Sequence, residues 1–175
     1  MNVTGRKPGK RYGGSRARLL AARRGLLLIC VQLSACSSDQ KSPEPPPPPV
    51  VMLSLAGSTD QNPDINGAAS PVDVRIIQLV EPHRFEYADA YAFLDSERKA
   101  LGSDEAATQD VFVNPSERRS IRIDPKPGVT AIGIAALYRD IDNAQWRAVA
   151  PIATHGTTKL SATIGRLAVT LRPAP

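Results

Sequence analysis

Two cysteines, Cys30 and Cys36, and two histidines, His83 and His155, are the side chains in this 175-residue sequence best suited to nucleophilic or metal chemistry. A zinc site needs several such ligands brought together. The histidines lie far apart and no cysteine follows position 36, so each histidine reads as a surface loop residue. Asp140, Asp142 and Asn143 crowd one short stretch and offer oxygens for calcium. The glycine and the distal glutamate of a twelve-residue calcium loop are missing, however. These three read instead as a polar turn between strands, with side chains bonding nearby backbone. The sequence holds neither a Gly-x-Ser-x-Gly elbow nor a glycine-rich phosphate loop. The expectation is therefore a chain with no catalytic residue, no metal and no cofactor.

Cys36 has the most informative setting of the four. Before it stand a basic stretch ending in Arg23 and Arg24, an apolar run over residues 25–33, and small residues at 34 and 35. That is the layout of a secretory signal. The run falls short of the roughly 20 apolar residues a membrane span needs. Leu33-Ser34-Ala35-Cys36 resembles the lipobox of bacterial lipoproteins, in which the thiol is acylated and a peptidase then cuts before the cysteine. The resemblance implies that Cys36 becomes a lipidated N-terminus. The alternative is an ordinary signal peptide that leaves Cys36 a free thiol.

Cleavage before Cys36 would also reverse the charge. The whole chain has 22 Lys+Arg against 17 Asp+Glu and a pI near 9.5, a balance that points toward nucleic acid. Eight of the basic residues and none of the acidic ones precede Cys36, which leaves 14 against 17 and a formal charge of −3. Nucleic acid drops out as an expected partner. Cys30 leaves with the signal and lipid occupies Cys36, so no intramolecular disulfide forms, although an export compartment would permit one.

The chain then divides into a signal over residues 1–35, a lipidated cysteine and proline-rich spacer over 36–49, and one domain over 50–175. Pro45 to Pro49 are consecutive and favour an extended, semi-rigid polyproline conformation. Beyond them apolar residues alternate with period two: Val51, Leu53, Leu55; Val72, Val74, Ile76; Ile121, Ile123. This is the signature of half-buried strands. The stretch 130–138 is almost continuously apolar, as expected of a strand covered on both faces. Residues 145–150 form another strand, and 160–164 and 167–171 flank Gly165-Arg166, which reads as a two-residue hairpin turn with glycine at positive φ. Phe85, Ala88, Tyr91 and Ala92 have helical spacing over 85–94, and Ser103 is placed to cap a second helix over 104–109. The expected fold is all-β, a sandwich of about seven or eight short strands with a helical insertion around 82–110.

Between the first two strands lies an unusually long connection over residues 57–70. Loops of this length inside compact domains are usually functional or disordered. Asn62-Pro63-Asp64 and Asn66-Gly67 favour local turns, so the loop is expected to be shaped and to present Asp60, Gln61, Asn62, Asp64 and Ile65 to a partner. The alternative is that Ile65 folds back onto the sandwich edge. Trp146 reads as a core or edge anchor, and Arg139 with Asp140 as a local ion pair of small energetic worth.

The ordered set of lipobox, spacer, Asn62-Pro63-Asp64, Ser70-Pro71-Val72-Asp73-Val74-Arg75-Ile76-Ile77-Gln78-Leu79, Phe85, Ala88-Asp89 and Leu101-Gly102 continues with Leu137-Tyr138-Arg139-Asp140-Ile141-Asp142-Asn143-Ala144-Gln145-Trp146-Arg147. It resembles the TssJ lipoprotein family of the bacterial type VI secretion system. The resemblance implies a transthyretin-like β-sandwich with a small helical addition, lipid-anchored in the outer membrane and facing the periplasm. It implies a role in anchoring and nucleating the membrane complex by binding the periplasmic domain of TssM. The contact would fall on the loop carrying Asp60, Gln61, Asn62, Pro63, Asp64, Ile65 and Asn66. Ser37 after Cys36 fits outer-membrane sorting. A competing reading is a lipid-anchored periplasmic module that binds a small molecule or cell-wall glycan around Tyr138 and Trp146.

Overall fold

A computed structural model describes residues 44–174; the signal, Cys36 and the start of the spacer lie outside the described residues. Glu44 to Pro48 are exposed and belong to neither helix nor strand. From there the chain forms eight strands in two four-stranded sheets: β1 (Val50–Gly57), β2 (Val72–Leu79), β3 (Glu105–Val113), β4 (Arg118–Ile123), β5 (Ala131–Leu137), β6 (Arg147–Pro151), β7 (Thr157–Ile164) and β8 (Val169–Pro173). One sheet has the order β4-β1-β7-β8 and the other β3-β2-β5-β6. All pairs are antiparallel except β1 with β7, where the first strand lies parallel to the seventh in a register that sets Leu53 beside Leu160.

The alternation of side chains along each strand builds the core. Val51, Leu53 and Leu55 are buried while Met52 and Ser54 are exposed, and Leu160, Ala162 and Ile164 repeat the pattern on β7. These meet Val72, Val74, Ile76, Ile132 and Ile134 of the second sheet in one apolar layer. β5 is buried on both faces from Ala131 to Ala136, because its outer face is covered as well.

The cover is the insertion between β2 and β3, which consists of α1 (His83–Glu86), α2 (Ala90–Asp95) and α3 (Glu97–Leu101). It buries Phe85, Phe93 and Leu101. A Cβ built on Gly133 would lie 2.8 Å from the Phe85 ring, so β5 has a glycine where that ring lies against it. Phe85 meets Trp146 edge-on at 6.2 Å, and Phe93 lies 5.0 Å from Trp146, making a second small core outside the sheet. Arg147 stacks over the Trp146 ring at 4.7 Å and donates from Nη1 to the carbonyl of Ala88, tying β6 to the end of α1.

Three expectations about elements need correction. The helix expected over 104–109 is strand β3, preceded by one 3₁₀ turn over Gly102–Asp104 in which Ser103 caps nothing. Its composition tolerates helix, but β2 has an open edge on that side, and pairing Val72–Leu79 against it outweighs weak local propensity. The single helix expected over 85–94 is two, because Asp89 takes an extended conformation and its carboxylate accepts from the Ala92 N–H at 2.9 Å. That turn buries Phe93 and leaves Tyr91 exposed. Finally, β7 and β8 are joined by the four residues 165–168, and Gly165 has no positive φ. Leu167 and Ala168 leave the ladder because their backbones engage Gln145: its N–H donates to the Leu167 carbonyl, and Gln145 bridges Ala168.

Candidate functional site

The loop between β1 and β2 is held from inside by two polar side chains. Gln61 is fully buried and donates from Nε2 to the carbonyls of Val113, at 2.7 Å, and Ser70, at 3.2 Å. Asn62 is 3% exposed; its Nδ2 donates to the Pro71 carbonyl at 2.7 Å and its Oδ1 accepts the Arg139 N–H at 2.9 Å. Its φ of 44° lies in the left-handed region, which asparagine tolerates better than most residues. A Cβ on Gly57 would come within 2.2 Å of Gln61 Oε1 and 2.5 Å of the Asn114 carbonyl oxygen, so a glycine is what lets the Gln61 side chain lie there. The sequence reading placed Gln61 and Asn62 on the presented surface. They are instead the clamp that shapes it, their amide groups drawn inward by the carbonyls of Val113, Ser70 and Pro71.

Beyond the clamp the loop closes on itself. The Asp64 carboxylate accepts the N–H groups of Asn66 and Ala68, the Gly67 N–H donates to the Asp64 carbonyl, and Gly67 supplies a φ of 83°. Ile65 rides on this turn and is 100% exposed, so it does not fold back onto the sandwich. Asp60 is exposed with its carboxylate on the Ser58 hydroxyl, and Pro63 is half-buried.

Two distant segments complete this end of the sandwich. The Asn62 N–H donates to the Arg166 carbonyl, and the Tyr138 hydroxyl donates to the Gly165 carbonyl at 3.3 Å. Burial pushes the Tyr138 phenol well above its ordinary range, so it stays a neutral donor. Together Pro63, Asp64, Ile65, Arg139, Arg166 and Leu167 line most of an open cleft of about 490 Å³. Sequence reasoning missed Arg166 and Leu167 as members of the site. No linear signal links them to the loop, since only the sandwich brings the β7–β8 turn beside it.

The other residues singled out fall elsewhere. Cys36 lies outside the described residues. Tyr138 and Trp146 are 5% and 6% exposed, which removes the aromatic surface a glycan-binding reading would use. Asp140 makes no ion pair with Arg139; both its oxygens accept from Asn143 Nδ2, and Asp142 accepts from the Tyr91 hydroxyl. His83 and His155 are exposed, and among the described residues no group of His, Cys, Asp and Glu is arranged to hold a metal ion.

Comparison with known proteins places this arrangement. The family model described as type VI secretion lipoprotein, VasD, EvfM, TssJ matches residues 49–167. A search of curated proteins finds no match to the chain. Among solved structures, the T6SS lipoprotein TssJ1 from Pseudomonas aeruginosa is 32% identical, with 74% of this chain and 100% of that one covered at a TM-score of 0.69. Serratia marcescens Lip, described as a membrane bound component of the type VI secretion system, is 18% identical and shares the fold over 73% of this chain and 97% of its own at a TM-score of 0.65. A chain in a structure described as the TssM C-terminal domain (869-1107) from EAEC also shares the fold, at 22% identity and a TM-score of 0.59 over 71% of this chain and 98% of that one. With the family model spanning seven of the eight strands and the clamped loop, this chain belongs to the type VI secretion lipoprotein family TssJ.

Proposed function

We propose that the chain is a non-catalytic subunit of the type VI secretion membrane complex. In this reading it is held in the outer membrane, facing the periplasm, by acyl chains on Cys36, and it binds the periplasmic domain of TssM through the loop between β1 and β2. The observation that carries the reading is Ile65: a fully exposed isoleucine on a turn whose backbone is already hydrogen-bonded, held by the buried Gln61 and Asn62. A rigid apolar tip suits a partner slot, since it binds without an ordering cost at the moment of contact. Family membership supplies the system in which the partner is sought, and a structure described by its TssM C-terminal domain contains a chain of this fold. The proline spacer and lipid would confine the loop near any partner that crosses the same compartment, which raises its effective concentration.

The test is calorimetry of the full chain, purified in detergent, with the periplasmic region of TssM. Binding is expected for the wild type. Ile65→Asp should lose about 2 kcal/mol or more, the scale of one buried isoleucine. No association with the loop intact, or an Ile65→Asp variant that binds as the wild type does, would refute the reading.

A further inference from the structure

The cleft under Ile65 carries a more specific instruction about what sits on it. Arg139 and Arg166 both line it, both are exposed, and among the described residues neither guanidinium has an ion pair or a hydrogen-bond acceptor. Three of the four carboxylate oxygens in the same lining are already engaged: Asp64 Oδ1 accepts two backbone N–H groups from its own turn, and both oxygens of Asp140 accept from Asn143, which leaves Asp64 Oδ2. The hydrogen-bonding capacity left facing outward is therefore mostly donor capacity, up to five N–H groups on each arginine in a flat fork. Of the exposed arginines elsewhere on the described surface, Arg84, Arg98, Arg119 and Arg122 each have a carboxylate within 4 Å, while Arg118 and Arg172 have none. What sets Arg139 and Arg166 apart is that they line one cleft together, beside Ile65.

We infer that the partner segment seated on this end of the sandwich presents carboxylates that Arg139 and Arg166 grip in bidentate fashion, beside an apolar slot that receives Ile65. The inference rests on the loop end being the partner-binding surface, and it names the chemistry of the other side: an acidic segment with an adjoining hydrophobic pocket. A guanidinium matches a carboxylate through two parallel N–H···O bonds, which a lysine ammonium cannot reproduce. Two arginines against Asp64 and Asp140 leave the lining formally neutral. The contact is thus short-range, so its loss should appear mainly as faster dissociation, not slower encounter.

The test measures binding and dissociation rates for the full chain in detergent against the periplasmic region of TssM, in wild type and in variants R139A, R166A, R139K and R166K. Each alanine variant should weaken binding about tenfold, chiefly through the dissociation rate, and each lysine variant should recover little of that loss. Arg172→Ala, an exposed arginine further along β8, should bind as the wild type does. Thermal midpoints should be unchanged throughout, because neither side chain is used within the fold. If both alanine variants bind within twofold of wild type while Ile65→Asp does not bind, the carboxylate contact is wrong and the loop reading survives. Full affinity in both lysine variants would overturn the bidentate geometry. If the wild type itself does not bind, both readings fall together.

Discussion

Asn62 shows how much one residue can be asked to do. Its position needs a left-handed φ, a donor for the Pro71 carbonyl and an acceptor for the Arg139 N–H, all with little water near. Alanine keeps none of these, and each buried group left unpaired costs about 1–3 kcal/mol. Asn62→Ala is expected to lower stability by roughly 2–4 kcal/mol, read from urea unfolding at an unchanged slope. Glu105 is a residue-scale weakness of the opposite kind. Burial, and then the charge of Glu97, push its carboxyl above the ordinary glutamate value of 4.5, and Arg98, 3.8 Å away, only partly offsets them. A raised folded value means that the neutral form favours folding below that ordinary value, and that this stability is lost as pH rises through the folded value. Glu105→Gln should therefore raise the thermal midpoint by a few degrees at pH 7. The two proteins should converge near pH 3, and a midpoint lower than wild type at pH 7 would contradict the assignment.

At the scale of elements, the helical insertion is attached by shape more than by its own helical strength. Helices of four to six residues do not persist unaided, so α1 and α2 depend on Phe85 and Phe93 reaching the sheet. Gly133 makes that possible, since any Cβ there meets the Phe85 ring at 2.8 Å. Gly133→Ala should cost about 1–3 kcal/mol through this overlap. It should also open Phe85–Leu101 to hydrogen exchange before the sheets, a local loosening that a uniform loss of protection would rule out. The strands were legible because alternation is written residue by residue, as in Val51, Leu53 and Leu55. β3 was misread because Glu105 to Gln109 has no alternation strong enough to outvote helix-forming residues, and what makes it a strand is the open edge of β2. The break at Asp89 was readable in principle, as an aspartate followed three residues later by the N–H it accepts.

For the molecule as a whole, folding and recognition are carried by different residues of one loop. Ile65→Asp should leave the thermal midpoint within about 1 °C of wild type, as expected of a fully exposed site, while weakening partner binding by about 2 kcal/mol or more. Asn62→Ala should lower both, because it unclamps the loop from the body. A large drop in stability for Ile65→Asp would mean that the tip belongs to the fold after all.

The linear sequence by itself determined the two-sheet class, most strand positions, the covered central strand and the family, since periodicity, composition and ordered motifs are local properties that survive without coordinates. It also marked the loop over 57–70 as the segment to watch. Only the tertiary structure decided which loop residues face in and which face out. Gln61 and Asn62 are polar and look like surface, yet carbonyls contributed by Val113 and Pro71, and an N–H from Arg139, draw them inside. Ile65 looks like core, yet it stands fully exposed on a turn closed by Asp64. Arg139 and Arg166 join the site only because the residues after β5 and after β7 meet at one end of the sandwich, where Asn62 bonds both backbones, a tertiary contact that no short stretch of sequence contains.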